Sequence, residues 1–123
     1  MKFTFINPNR QYSENNIWST ISSVTPPLGL AILSAVVDEQ GSDSEIIDAC
    51  ALNLSTAQTI DLVTRENNFV GITSTTPQIE DAVNIARGIK EKHPHIRIIM
   101  GGVHPTVFHK ELGKEKYCQM VVR

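Results

Sequence analysis

Residues 69–102 read FVGITSTTPQIEDAVNIARGIKEKHPHIRIIMGG, and this stretch decides the fold. Its ends, Phe69-Val70-Gly71-Ile72-Thr73 and Ile96-Arg97-Ile98-Ile99-Met100, are short, β-branched and bounded by loop residues, as strands packed between helices are. They are expected to be central strands. Between them Ile79, Ala82, Val83, Ala86 and Ile89 fall at i, i+3, i+4, i+7 and i+10, so one face of a helix is apolar and covers a sheet face. Thr76 is placed to cap that helix, Pro77 suits its first position, and Pro94 ends it.

Outward from this unit the pattern repeats. Apolar runs at 2–7, 44–49, 69–74, 96–100 and 119–122 alternate with four helical segments, which predicts an α/β domain with a five-stranded parallel sheet. The first helix, from Leu28 to about Gln40, is apolar nearly all round through Leu30, Ala31, Ile32, Leu33, Ala35, Val36 and Val37, with Gly41 as its C′ residue. A surface helix does not need that much apolar area, so a cover from outside the chain is expected. The second starts after Ser55, which pairs with Gln58 as a capping box and turns Ile60 and Val63 inward. The fourth is short, from near Pro105 to before Gly113. Asn7 to Pro27 is a long irregular stretch, and loops of that length in a small domain are usually functional or mobile.

Bulk properties narrow the classes. With 123 residues one core and a single domain, 1–123, are expected. The composition is 41% hydrophobic and 20% charged with a net charge of −2, so no field draws nucleic acid or an anionic membrane. Cys50 and Cys118 supply neither a disulfide framework nor a multi-thiolate metal site, which fits a reduced, cytoplasmic setting. The apolar start, Met1 to Ile6, is too short for a signal sequence or membrane span.

In an open parallel sheet a ligand binds beyond the carboxyl ends of the strands, where the winding reverses. With strand order 2-1-3-4-5 as the simplest assumption, the crevice lies between Asn7 to Pro27, Ser74-Thr75-Thr76-Pro77 and Gly101-Gly102-Val103-His104-Pro105-Thr106. Three hydroxyls at Ser74, Thr75 and Thr76 exceed what capping alone needs. Gly101-Gly102 either lets a bulky ligand press on bare backbone or serves a turn with positive φ; both readings stand. His104 faces the site as a hydrogen-bonding residue rather than a metal or catalytic group, whereas His93, His95 and His109 read as exposed. Asp48, near the sheet edge, suits a ribose contact or simple solvation.

Absent motifs remove other classes. No G-x-G-x-x-G follows the first strand and no G-x-x-x-x-G-K-[ST] occurs, so dinucleotide and nucleoside-triphosphate binding lack their phosphate cradles. Thr73-Ser74 stands where a phosphate-accepting receiver domain needs aspartate, and Pro8-Asn9-Arg10-Gln11-Tyr12 is no flavin phosphate loop. No nucleophile with a positioned histidine and no acid–base carboxylate pair emerges, so no catalytic residue is assigned.

Several strings nevertheless resemble one family. Pro26-Pro27-Leu28-Gly29-Leu30-Ala31-Ile32-Leu33-Ser34-Ala35, Ile46-Ile47-Asp48-Ala49, Val70-Gly71-Ile72-Thr73-Ser74-Thr75-Thr76, Gly101-Gly102-Val103-His104-Pro105-Thr106 and Val121-Val122-Arg123 together resemble the N-terminal cobalamin-binding domain of radical S-adenosylmethionine enzymes. The resemblance implies a flavodoxin-like three-layer sandwich that holds cobalamin over the strand ends and presents it to a following radical domain, for methyl transfer or a related radical reaction. It implies that Pro26, Pro27, Leu28 and Gly29 lie near the corrin, that Ser74, Thr75 and Thr76 contact the nucleotide tail, and that Gly101, Gly102, His104, Pro105 and Thr106 line the tail's channel. Gly102→Val is then expected to weaken cobalamin retention while moving the thermal midpoint only a few degrees.

Two departures shape that expectation. No histidine has Asp two residues before it and Gly three after, so the D-x-H-x-x-G lower-ligand motif is missing. The C-x-x-x-C-x-x-C iron–sulfur motif needs three thiolates, so a [4Fe-4S] cluster and S-adenosylmethionine would belong to a C-terminal domain outside this chain, which reads as an excised part of a longer enzyme. The alternative is a degenerate domain of the same fold that no longer binds cobalamin and acts as a structural or substrate-gating element; a stand-alone flavin carrier is a weaker third reading.

Overall fold

The alternation along each apolar run decides which layer its side chains enter. In the computed structural model, which describes residues 1–10 and 25–123, the strands β1 (Lys2–Asn7), β2 (Asp43–Asp48), β3 (Phe69–Thr73), β4 (Arg97–Gly101) and β5 (Met120–Val121) are all parallel, in the order β2-β1-β3-β4-β5. This is the α/β parallel sheet expected from the pattern, in the order assumed for it, and the flavodoxin-like arrangement that the resemblance implies, with β3 at its centre. Ile6, Val70, Ile72, Ile98 and Met100 enter the main core, and all are essentially sealed from solvent. Phe3, Phe5, Phe69 and Ile99 alternate to the other face.

The main core is closed by α2 (Thr56–Leu62), α3 (Ile79–Lys92) and the short α4 (Val103–Val107) and α5 (His109–Leu112). Ala82, Ile85, Ala86 and Ile89 of α3 are fully buried in it, as are Val63 and most of Leu112. On the other face, among the described residues, α1 (Leu28–Glu39) is the helical cover and packs over β1 and β2. It buries Leu30 but leaves Leu28, Ile32, Leu33 and Val36 between half and about 70% exposed.

Helix ends follow local chemistry. Gly41, at φ +81°, closes α1: its N–H reaches the Asp38 carbonyl and that of Ser42 reaches the Val37 carbonyl, so the last turn's acceptors are paired. At α2, Ser55 Oγ accepts from the Gln58 N–H (3.1 Å) and Gln58 Oε1 accepts from the Ser55 N–H (2.9 Å), the expected box. The cap expected at Thr76 sits one residue earlier. A 3-10 turn, Thr76–Gln78, precedes α3, and Gln78 Oε1 accepts from both the N–H and the hydroxyl of Thr75 (3.0 Å each). The fourth helix starts at Val103 rather than near Pro105, because Gly102 at φ +98° lets the chain turn directly out of β4. Pro105 then occupies the first turn, where a missing N–H costs nothing.

Candidate functional site

The carboxyl ends of β1, β3 and β4 meet on one rim. The Ser74 N–H donates to the Gly101 carbonyl (3.1 Å) and the His104 N–H to the Ser74 carbonyl (3.1 Å), which docks the crossing after β4 onto that after β3. Gln78 Nε2 donates to Asn7 Oδ1 (3.0 Å) and to the Pro8 carbonyl (2.7 Å), which ties the crossing after β3 to that after β1. Of the long stretch from Asn7 to Pro27, residues 11–24 lie outside the described residues.

Two hollows open here. A slot of about 370 Å³ at the strand ends is walled by Asn7, Arg10, Thr25, Pro27, Gly29, Thr75, Gln78 and Gly102. A cavity of about 250 Å³ lies between α1 and the sheet, walled by Phe3, Phe5, Gly71, Ile99, Gly101 and Val122. They share Leu30, Leu33, Thr73 and Gly102, so one adjoins the other. The slot offers amide, hydroxyl and guanidinium groups, whereas the cavity is almost wholly hydrocarbon, a division that suits a ligand with a polar-edged body and an apolar appendage.

Sequence dictates the bare walls. Phe5 pairs in register with Gly71, and a Cβ at Gly71 would stand 2.9 Å from the Phe5 ring, so the glycine makes room for the aromatic. Phe3 stacks on Phe69 with centroids 4.8 Å apart, which extends this apolar wall. A Cβ at Gly101 would meet nothing closer than the Val122 carbonyl at 3.7 Å. Gly102 differs: its Cβ would lie 2.7 Å from Thr73 Oγ1 and 3.0 Å from Ser74 backbone atoms, on a positive-φ backbone. Thus the turn reading of Gly102 is realised, and the expectation that Gly102→Val leaves stability nearly untouched is corrected: the fold itself needs that position bare.

The structure places the other expected residues as follows. Pro27, Gly29, Thr75 and Gly102 line the slot, and Gly101 and Gly102 line the cavity. Pro26 and Leu28 are exposed at the entry to α1, outside the walls of either hollow. Ser74 is buried at the end of β3, and its hydroxyl has no protein partner. Thr76 Oγ1 lies 3.2 Å from His104 Nδ1, and the His104 ring stacks on Phe108 with centroids 4.4 Å apart. Pro105 is buried, and the Thr106 hydroxyl donates to the Gly102 carbonyl (2.7 Å), both supporting the turn into α4. Asp48 Oδ1 accepts from Asn7 Nδ2 (3.0 Å) and the Ala51 N–H (3.1 Å), so it is a rim strut. His93 and His109 are half-buried rather than exposed, with ring nitrogens near the Val63 and Thr106 carbonyls.

Among the described residues no group of three or more His, Cys, Asp and Glu side chains could hold a metal ion, and no helix is long and apolar enough to cross a membrane. Comparison with known proteins settles the family. A model of the B12 binding domain matches residues 16–123. The chain belongs to that family. The B12-binding domain described here is 34% identical over 95 residues to an uncharacterized methyltransferase of Pyrococcus horikoshii, covering 76% of this chain and 20% of the relative. It is 31% identical over 117 residues to the anaerobic magnesium-protoporphyrin IX monomethyl ester cyclase of Rubrivivax gelatinosus, covering 94% of this chain and 20% of that protein. The chain thus spans about a fifth of the length of the curated relatives it matches.

Sequence reasoning placed Asn7, Arg10 and Thr25 in a crossing of the crevice without naming them singly, and it missed Leu30, Leu33, Thr73 and Gln78, together with Phe3, Phe5 and Ile99 of the cavity, as wall residues of this B12-binding domain. Gln78 was legible: Thr75-x-x-Gln78 repeats the hydroxyl-x-x-Gln spacing that identified Ser55 and Gln58. The leucines carried no such signal, because an apolar helix face does not announce which of its members borders a void.

Proposed function

We propose that this domain binds cobalamin, with the corrin across the strand-end slot and the aromatic base of the nucleotide tail in the cavity between α1 and the sheet, the tail's phosphate and ribose staying at the polar rim. The observation that carries the reading is the adjoining pair of hollows, one polar-edged and one hydrocarbon, with Gly101 bare on the wall of the second. Pro27 and Gly29 would border the corrin, with Pro26 and Leu28 outside the slot, and Thr75, Gly101 and Gly102 would border the passage to the tail. His104 and Thr106 would act by fixing the turn that holds Gly102 open, through the Thr76 and Gly102 contacts.

When bound, cobalamin supplies an alkyl group carried on cobalt. This chain's residues bind and orient the cofactor, and the reaction belongs to a further domain: a radical S-adenosylmethionine domain with its [4Fe-4S] cluster, performing methyl transfer or a related radical reaction. Two observations favour that assignment. The relatives that match the chain are a methyltransferase and a cyclase about five times its span, and α1 turns Leu28, Ile32 and Val36 outward as an apolar strip suited to packing against another domain.

The test is to mix the purified domain with hydroxocobalamin, desalt it and record the visible spectrum. Retained corrin absorbance at one equivalent is expected. A colourless protein would favour the structural or gating role, and a yellow protein as purified would favour flavin.

A further inference from the structure

One buried side chain at the rim joins more of the site than any other. Gln78 is 5% exposed, and all its polar atoms are engaged: Oε1 accepts from the N–H and hydroxyl of Thr75, and Nε2 donates to Asn7 Oδ1 and the Pro8 carbonyl. Asn7 continues the chain by donating to Asp48 Oδ1. The Gln78 carboxamide thus bridges the crossings after β1 and β3, and the Asn7 carboxamide carries the link on to the end of β2. The two crossings are 70 residues apart in sequence, and the only side-chain group bridging them among the described residues is Gln78.

The chemistry of the bridge is selective. A carboxamide alone among side chains of this length accepts at one atom and donates two hydrogens at the other, which the four contacts require. Glutamate would keep the acceptor for Thr75 yet face Asn7 Oδ1 and the Pro8 carbonyl with a second oxygen. Leucine would fill the space and make none of the bonds.

We infer that Gln78 is a positioning residue for the cofactor slot: it holds the crossings after β1 and β3 at the separation cobalamin requires before the cofactor arrives. The inference rests on the cobalamin reading above. Because its polar atoms are consumed by protein partners, Gln78 acts on the walls rather than on the cofactor. Its loss lowers the fraction of molecules whose slot is open at the right width, and apparent affinity falls by that fraction. The signature is kinetic: association slows, whereas dissociation from the already seated complex changes little.

The experiment measures hydroxocobalamin association and dissociation by stopped-flow absorbance for the wild-type chain, Gln78→Leu and the isosteric Gln78→Glu, with folding of each checked by circular dichroism. Association slower by about tenfold in both variants, with dissociation within about twofold, is expected from the loss of two or more net hydrogen bonds in the free slot. If Gln78→Leu does not fold, Gln78→Glu carries the test. Unchanged association in a folded variant overturns the inference, and faster dissociation at unchanged association overturns it by making Gln78 a cofactor contact. A wild-type chain that retains no hydroxocobalamin sinks the cobalamin reading instead, and the positioning role with it.

Discussion

Gly101→Val puts an isopropyl group into the hydrocarbon cavity without disturbing what surrounds it. The glycine lies at the end of β4 with no positive φ, and the first new atom would find ordinary contacts with Val122, at 3.7 Å and 3.8 Å. Burying the added carbons contributes up to about 2 kcal/mol at ~0.8 kcal/mol per methylene, and removing a strand glycine adds roughly 0.5–1 kcal/mol. Restricted rotamers and imperfect fit offset part of this. The empty domain should therefore keep its thermal midpoint or gain a few degrees. Cobalamin binding should move the other way, because the group occupies part of a cavity of only about 250 Å³. Forcing extra carbons into a filled apolar site costs about 1–3 kcal/mol, a loss of roughly 5- to 150-fold in affinity. Equilibrium titration of hydroxocobalamin, read by absorbance alongside a thermal melt, gives both quantities on one sample. Wild-type affinity in a folded Gly101→Val domain would refute the assignment of this cavity to the nucleotide tail.

Other substitutions separate stability from binding. Gly102→Ala should lower the thermal midpoint by about 5–10 °C in a circular-dichroism melt, since the left-handed backbone alone costs about 1–2 kcal/mol and the Cβ meets Ser74 backbone at 3.0 Å. Thr4→Val, at the opposite end of the sheet, removes a buried hydroxyl 2.7 Å from Glu45 Oε1 and 2.6 Å from Asn67 Oδ1; urea unfolding should show a loss of about 1–3 kcal/mol with cobalamin retention intact. Cys118 sets an alkaline limit. Burial pushes its thiol above the ordinary 9.0, partly opposed by backbone hydrogen bonds to Met120 and Met100. The folded chain therefore keeps a proton that the unfolded chain releases, so stability is full below pH 9.0 and falls as pH rises past it. Cys118→Ala should flatten that decline in melts taken across the range; Tyr117, raised chiefly by burial above 10.0, leaves a residual slope of the same sign.

The strands were legible because parallel strands packed between helices are short apolar runs rich in β-branched residues, and Phe69–Thr73 and Arg97–Gly101 are of that kind. The stripe on α3 was equally plain, and Gly41 announced the end of α1 by its type. Thr75 and Thr76 are adjacent hydroxyl residues before a proline, so local sequence left the cap ambiguous; the partner three residues on, Gln78, decides it. The hollows were legible only as three crossings. Their shapes depend on register across strands, such as Phe5 beside Gly71, and on α1 packing over β1 and β2 rather than, among the described residues, over β4 and β5. His93 and His109 read as exposed because sequence shows their polar neighbours and not the carbonyls that the fold brings near them.

A crystal structure of the domain grown with hydroxocobalamin would show where the cofactor sits. Density for the corrin should lie over Pro27, Gly29 and Thr75, with the tail running past Gly102 into the space between Leu30, Leu33 and Ile99. Corrin density on another surface, or a tail lying outside that space while the three crossings keep their present spacing, would contradict that placement.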